Sequence, residues 1–171
     1  FNDSTHIFKQ ALAAGRLGKV VLCDTAIKWW RTQKYYESGA WRGTWDLDGG
    51  GALMNQSIHT IDLMLYLMGD VQSVSASGGL EAHSGIEVED VAVAIIEFKS
   101  GARGVIQAST ACYSNTGLPA SIHICGDQGS IMMVDDKFSV WDLKHSHPED
   151  DTILTKHGIY ESSSGAGAAD P

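Results

Sequence analysis

The alternation of apolar and polar residues changes period once along the chain, and that change predicts the layout. Over residues 4–17, Ile7, Ala11, Ala14 and Leu17 recur at helical spacing, with Ser4 or Thr5 placed to cap the start and Gly18 to end it. Residues 19–30 are rich in Val, Ile and Thr and predict a strand. Residues 31–49 are a long connection without a period, crowded with Tyr35, Tyr36, Trp41, Arg42 and Trp45, and such connections commonly carry function. Gly49-Gly50-Gly51 opens the longest apolar stretch, 52–68, and Gly69 closes it, which predicts a second helix. From Val71 the period becomes two, and strands are predicted at 71–78, 88–99, 102–112, 121–126, 130–135 and 138–143. Ser100-Gly101, Asp127-Gln128-Gly129 and Asp136-Lys137 read as tight turns between them. Helices followed by hairpin-linked strands predict an α+β fold, with an open, largely antiparallel (mixed) sheet carrying its helices on one face. Residues 1–145 form one unit in this reading. Residues 146–171 form a polar tail of the same domain, flexible over 162–169.

Val91, Val93 and Ile95 alternate with Ala92, Ala94 and Ile96, so both faces of that strand are apolar. Helices on one side of an open sheet cover one face only, so the other face predicts self-association.

On a wheel drawn at ~100° per residue, Met54, Ile58, Ile61, Leu65 and Met68 share one stripe of the second helix. Asn55, His59, Asp62 and Tyr66 share another. A polar row on an otherwise apolar helix is either satisfied inside the core or lines a cleft. In the first case His59 hydrogen-bonds Asp62 or a backbone carbonyl and orders the core. In the second it is an acid/base group, because imidazole titrates near neutrality, with Asn55 contacting the same substrate group and Asp62 setting the tautomer. A metal site is disfavoured, since zinc needs three or four ligands and this row supplies two. The three glycines would let a substrate or second domain approach the backbone. They are no dinucleotide fingerprint, because they follow a loop rather than a strand of a βαβ unit.

Twelve Lys and Arg stand against 21 Asp and Glu among 171 residues, a net charge of −9. An acidic chain without a basic run is a poor nucleic-acid or anionic-membrane binder, and no apolar run reaches the ~20 residues of a membrane span. Cys23, Cys112 and Cys125 are odd in number and lie in apolar segments, which reads as reduced, buried thiols in a cytoplasmic protein. Phe1 in place of Met, and an end at Asp170-Pro171, give the expectation of a segment of a longer protein.

The run WRGTWDLDGGGALMNQSIHTID over residues 41–62 resembles the Gfo/Idh/MocA oxidoreductases in their C-terminal domain, matching the pattern GGG-x-L-x-[DN]-x-x-x-H-x-x-D without a gap. Residues 15–20 and the Gly126–Ser130 turn resemble two further family features, and the likeness extends over roughly residues 1–143. The resemblance implies an NAD(P)-dependent dehydrogenase acting on a sugar, polyol or nucleotide-sugar hydroxyl or carbonyl. NAD or NADP would be bound mainly by a Rossmann domain outside this chain, which would also supply a lysine. This chain would form the substrate-binding and oligomerisation domain, pairing as a dimer or tetramer through the open sheet face. His59 matches the family's acid/base histidine. Asn55 stands where the inositol dehydrogenases carry Asp, which assigns it to positioning. Asp62, Trp41 and Arg42 fall on the substrate side, with Arg42 suited to a carboxylate or phosphate. The competing readings are a non-catalytic oligomerisation or binding module and a metal-dependent hydrolase. An open cleft at Asn55 and His59 separates enzyme from module, and a third ligand converging on His59 would indicate the hydrolase.

Without a glycine fingerprint the chain on its own is expected to bind neither NAD nor NADP. Titration calorimetry on the isolated chain checks this, and micromolar affinity for either dinucleotide would overturn it.

Overall fold

A computed structural model describes residues 2–159. Seven strands form one sheet in the order β2-β3-β4-β1-β5-β6-β7. They are β1 (Val20–Lys28), β2 (Val71–Gly79), β3 (Val91–Phe98), β4 (Arg103–Ser109), β5 (Ser121–Gly126), β6 (Gly129–Val134) and β7 (Lys137–Leu143). β1 and β4 run parallel and every other pair is antiparallel, so the expected mixed sheet is present. The central strand β1 pairs with strands late in the sequence. It joins a hairpin-built half, β2-β3-β4, to a meander, β5-β6-β7.

Helices α1 (Asp3–Ala13) and α3 (Ile58–Met68) contribute Phe8, Ala11, Met64 and Leu67 to the core over one face of the sheet. The strands answer with Cys23, Ile96, Phe98, Ile106, Ile122, Ile124 and Ile131, all buried. On the opposite face Leu22, Val93 and Ile95 remain exposed, Ile95 by 61%. They share that face with Asp24, Glu97, Arg103 and His123 through the register of β1, β3, β4 and β5.

Several local expectations are corrected. Helix α1 starts earlier and is capped by Asn2, whose side chain accepts from Thr5 N; Ser4 and Thr5 are buried inside its first turn. It stops at Ala13, well before Gly18, because Gly15 already takes the left-handed conformation, φ +70°. The connection 31–49 holds a short helix, α2 (Gln33–Glu37), capped by Thr32. The second helix is not uniform, since Ala52–Ser57 is a π-helical segment and the α-helix proper begins at Ile58. The stripe that meets the sheet is therefore Ala52, Ser57, Met64 and Leu67, while Met54, Ile58 and Leu65 are exposed. The sequence signal fades after His145, yet helix α4 (Asp150–His157) follows. It buries nothing. Its start is fixed by Asp150, which accepts two hydrogen bonds from the Arg16 guanidinium and one from Trp141 Nε1. The expected flexible stretch 162–169 lies outside the described residues. No helix among the described residues is long and apolar enough to cross a membrane.

The β2–β3 connection folds around a buried hydrogen-bonded pair, His83 and Asp90. His83 Nδ1 and Asp90 Oδ2 are 2.8 Å apart, with the two side chains 2% and 0% exposed. The carboxylate also accepts from the backbone N–H groups of Glu81, Ala82 and His83 at 2.8–3.0 Å. Burial alone would raise the Asp90 pKa, but these donors outweigh it and hold the carboxyl below its ordinary value. A carboxylate so depressed contributes its full stability above the ordinary carboxylate range near pH ~4, and loses it as pH falls through the lower folded value. Asp90→Asn should cost about 3–5 kcal/mol near neutrality, the range for breaking a buried pair. Urea unfolding as a function of pH checks this, because the gap to the native protein should narrow steadily in acid.

Candidate active site

The site is built at the start of the second helix. Gly51, Ala52 and Leu53 present free amides there, as any helix start does. Glu89, at the end of the β2–β3 connection, takes all three: its side chain accepts from Gly51 N at 3.1 Å and Leu53 N at 3.0 Å, and its carbonyl accepts from Ala52 N at 2.9 Å. A Cβ on Gly51 would lie 1.8 Å from that carbonyl oxygen, so the third glycine is required by the chain's own packing. The close approach expected of a ligand is thus made by Glu89. With those donors used by the Glu89 carboxylate and carbonyl, this helix start does not fit a dinucleotide pyrophosphate.

Asn55 lies in a narrow recess with Tyr35, Tyr36, Asp48, Gly51 and Gln56. Its Nδ2 donates to Asp48, and its Oδ1 accepts from Gln56 Nε2. Gln56 also donates to Tyr35 Oη at 3.1 Å, and its Oε1 accepts from Arg31 Nη2 at 2.6 Å. Asp48 is held in turn by Gly43 N at 2.8 Å. Asn55 therefore has one possible amide orientation and sits in a continuous hydrogen-bonded chain from Arg31 to Asp48.

Arg31 is fixed from behind, since its carbonyl accepts from His83 Nε2 at 2.8 Å. Tyr36 packs edge-on against His83 with ring centroids 4.7 Å apart, and its hydroxyl shares a 2.8 Å hydrogen bond with Thr110. Burial pushes the Tyr36 phenol up, and the Thr110 hydrogen bond offsets this only in part, so it stays neutral. Arg42 is sandwiched between Tyr35 and Trp41, 4.2 and 4.3 Å from the ring centroids. Its Nε is buried and has no hydrogen-bond partner among the described residues. Trp41 is exposed on its outer side.

His59 and Asp62 are exposed on a different cavity of about 510 Å³, where Thr5, Asp135 and Asp136 face them. No hydrogen bond joins His59 to Asp62 among the described residues, so the core-ordering arrangement is absent. Tyr66, the last of the expected polar row, lies under the Lys9 ammonium, 5.1 Å from its ring centroid. The row is thus divided between two cavities: Asn55 in the recess, His59 and Asp62 in the open cleft.

Arg31, Asp48, Gln56, Glu89 and the His83–Asp90 pair were not singled out from sequence. Asp48 carried a usable signal, standing directly before the glycines; Glu89 and His83 carried none, since their roles arise from pairing across the fold. Burial pushes the Cys23 thiol up, with Asp24 adding to it, so Cys23 is an inert core group. Among the described residues no group of three or more His, Cys, Asp or Glu side chains converges to hold a metal.

Known proteins carry the same framework. The chain is 29% identical over 154 residues to scyllo-inositol 2-dehydrogenase (NAD(+)) of Bacillus subtilis, covering 88% of this chain and 39% of that protein. It is 37% identical over 87 residues to the myo-inositol 2-dehydrogenase of Thermotoga maritima, covering 48% of this chain and 25% of that one. The crystal structure of the WlbA dehydrogenase from Bordetella pertussis, in complex with NADH and UDP-GlcNAcA, superposes with a TM-score of 0.83 at 35% identity, covering 90% of this chain and 46% of that one. The chain thus spans less than half the length of these relatives. Residues 6–132 match the family model described as the GFO/IDH/MocA C-terminal domain, and the chain belongs to that family.

Proposed function

We propose that the protein containing this chain is an NAD-dependent oxidoreductase acting on a hydroxyl or carbonyl of a sugar, polyol or nucleotide sugar, and that this chain supplies the substrate side. The observation carrying the reading is that His59 is exposed on an open cleft, one helical turn after Asn55, whose fixed amide lies in the separate recess at the helix start. A structural histidine would be enclosed and hydrogen-bonded. The related proteins carry NAD(+) and NADH in their names, which favours NAD over NADP.

In this mechanism His59 accepts the proton of the substrate hydroxyl during oxidation and returns it during reduction. Nicotinamide, when bound by the whole protein, supplies the hydride chemistry. Asn55, locked by Asp48 and Gln56, positions the substrate by hydrogen bonding without moving a proton. Asp62 stands on the same cleft as His59 and adds negative charge there. Trp41 and Arg42 close the substrate side.

The open sheet face supports self-association as part of the same reading. Leu22, Val93 and Ile95 are exposed together on it, and exposed apolar clusters of this kind mark contact surfaces. Ile95→Lys should convert an oligomer to monomers in sedimentation at roughly 10 μM protein with an unchanged circular dichroism spectrum. An unaltered sedimentation coefficient would remove this face from the interface.

His59→Ala in the full-length protein should lower kcat by about two to four orders of magnitude, the contribution of a positioned acid or base. NADH affinity should not change, and His59→Asn should flatten one limb of the pH–rate profile. Asn55→Ala should act mainly on KM. Steady-state kinetics checks these outcomes, and a kcat for His59→Ala within a factor of about three of the native value would make the histidine structural.

A further inference from the structure

Strand β5 carries His123 and Cys125 two residues apart, so both side chains stand on the open face of the sheet. The register sets their neighbours. Asp24 on β1 lies opposite His123, and Ser130 on β6 lies opposite Cys125. Cys125 Sγ is 3.3 Å from His123 Nε2, and Ser130 Oγ is 2.5 Å from that nitrogen and 3.4 Å from the sulfur. On the other side of the ring, Nδ1 is 3.8 Å from Asp24 Oδ2. The His123 and Asp24 side chains are 29% and 35% exposed, so the group is reachable from solvent. None of these four residues lines the cleft of His59 or the recess of Asn55.

A thiol and an imidazole nitrogen side by side are the donor types of structural zinc sites. Zn–S and Zn–N bonds of about 2.3 and about 2.0 Å, set at a tetrahedral angle, separate the two donor atoms by about 3.5 Å. The Cys125 sulfur and the His123 nitrogen are already at 3.3 Å. A metal-bound imidazole usually gives its other N–H to a carboxylate, and Asp24 stands on that side of the ring. Ser130 then has the thiolate as acceptor for its hydroxyl. One chain, however, brings only two ligands, and zinc takes four.

The position of the pair on the face points to the source of the other two. β1 is the middle strand of seven and β5 is beside it. The row through Asp24 and His123 continues into Val105 and Ile95 on one side, and into Met132 and Val140 on the other. The ligands thus lie near the centre of an apolar surface. A twofold contact presents the same patch from both partners, so residues near its axis meet their own copies. Burying these polar groups without a partner is unfavourable. The net charge of −9 on each chain also opposes the approach. A dication on the axis offsets both effects.

We propose that this face holds a zinc ion shared by two copies of the chain, bound by His123 Nε2 and Cys125 Sγ of each. The proposal rests on the reading of the open sheet face as a contact surface between copies. Each thiol gives up its proton on binding, so affinity falls in acid.

The test uses the full-length protein, reduced and freed of metal with a chelator. Zinc titrated in a calorimeter should bind at one ion per two chains and should tighten their association in sedimentation. Cobalt(II) in its place should show sulfur-to-metal charge-transfer absorption together with the strong visible bands of a tetrahedral site. Asp24→Asn should weaken zinc by about 10- to 100-fold, the usual effect of losing the partner behind a ligand. Cys125→Ala should abolish saturable binding. Cys112→Ala, at a half-buried cysteine outside the cluster, should leave it unchanged. One zinc per chain overturns the proposal, as does zinc binding that survives Cys125→Ala at native affinity, or a cobalt complex without the charge-transfer band. The two readings fail separately. An assembly that Ile95→Lys dissociates but that binds no zinc keeps the sheet-face contact and overturns this proposal. A metal-free protein that is monomeric, and that dimerises on one zinc per two chains, sustains this proposal and removes an assembly held by apolar contact alone.

Discussion

The buried pair of His83 and Asp90 is the interaction on which the site depends. Asp90 closes the β2–β3 connection on itself by accepting three consecutive backbone amides, and its second duty is to hold the His83 ring. That ring reaches across to the carbonyl of Arg31 and supports Tyr36 and Trp30 on its faces and edge. Tyr35 in turn packs on Tyr36, Arg42 on Tyr35, and Trp41 on Arg42, so the aromatic and cationic surface extends outward from His83 in a series of contacts. The same connection ends at Glu89, which caps the glycine-rich helix start. One segment, 80–90, therefore sets both the backbone of the helix that carries Asn55 and the backbone of the strand exit that carries Arg31. Its neighbour in the sheet is equally committed, since Thr110 N donates to the Asp90 carbonyl at 2.8 Å.

The π-helical segment follows from this clamp. Glu89 satisfies three amides at the helix start, and Ser57 Oγ donates back to the Ala52 carbonyl at 2.7 Å, five residues earlier. The helix begins wide and tightens at Ile58. π-segments of this kind are uncommon and concentrate at functional positions. Here the segment spans the two residues, Asn55 and Gln56, that carry the hydrogen-bonded chain.

Much of the framework was legible in the sequence because it rests on local period. The strands from Val71 onward and the turns at Gly101 and Gly129 follow from alternation and glycine placement, and the mixed sheet with one helix-covered face follows from their order. What could not be read depended on partners far along the chain. The cap on α1, Asn2, lies ahead of the residues 4–17 that carry its apolar period, and α4 is held by an arginine more than a hundred residues away. Among site residues, Asn55 and His59 were visible through the family motif, and Trp41 and Arg42 through the aromatic loop. Arg31, Gln56 and Asp48 were not, because nothing in their immediate neighbours announces a hydrogen-bonded chain. A regular wheel through 52–68 also placed Met54, Ile58 and Leu65 in the core, and the π-segment moves that face into the open.

The place of β1 in the sheet governs how the domain is assembled in time. This strand precedes the other six in sequence, yet its two neighbours are β4 and β5; Thr25 Oγ1 reaches the Val105 carbonyl across 80 residues of sequence. The β3–β4, β5–β6 and β6–β7 turns are short and close locally, while the longer β2–β3 connection is held by the Asp90 and Glu89 contacts. β1 finds its edges only on strands far along the chain, and closing such distant contacts has a loop entropy that local hairpins do not face. Until that docking, the inner edges of β4 and β5 are unpaired strands with apolar side chains. Docking β1 is therefore the pairing with the longest loops to close, and without it β4 and β5 would each leave an edge unpaired.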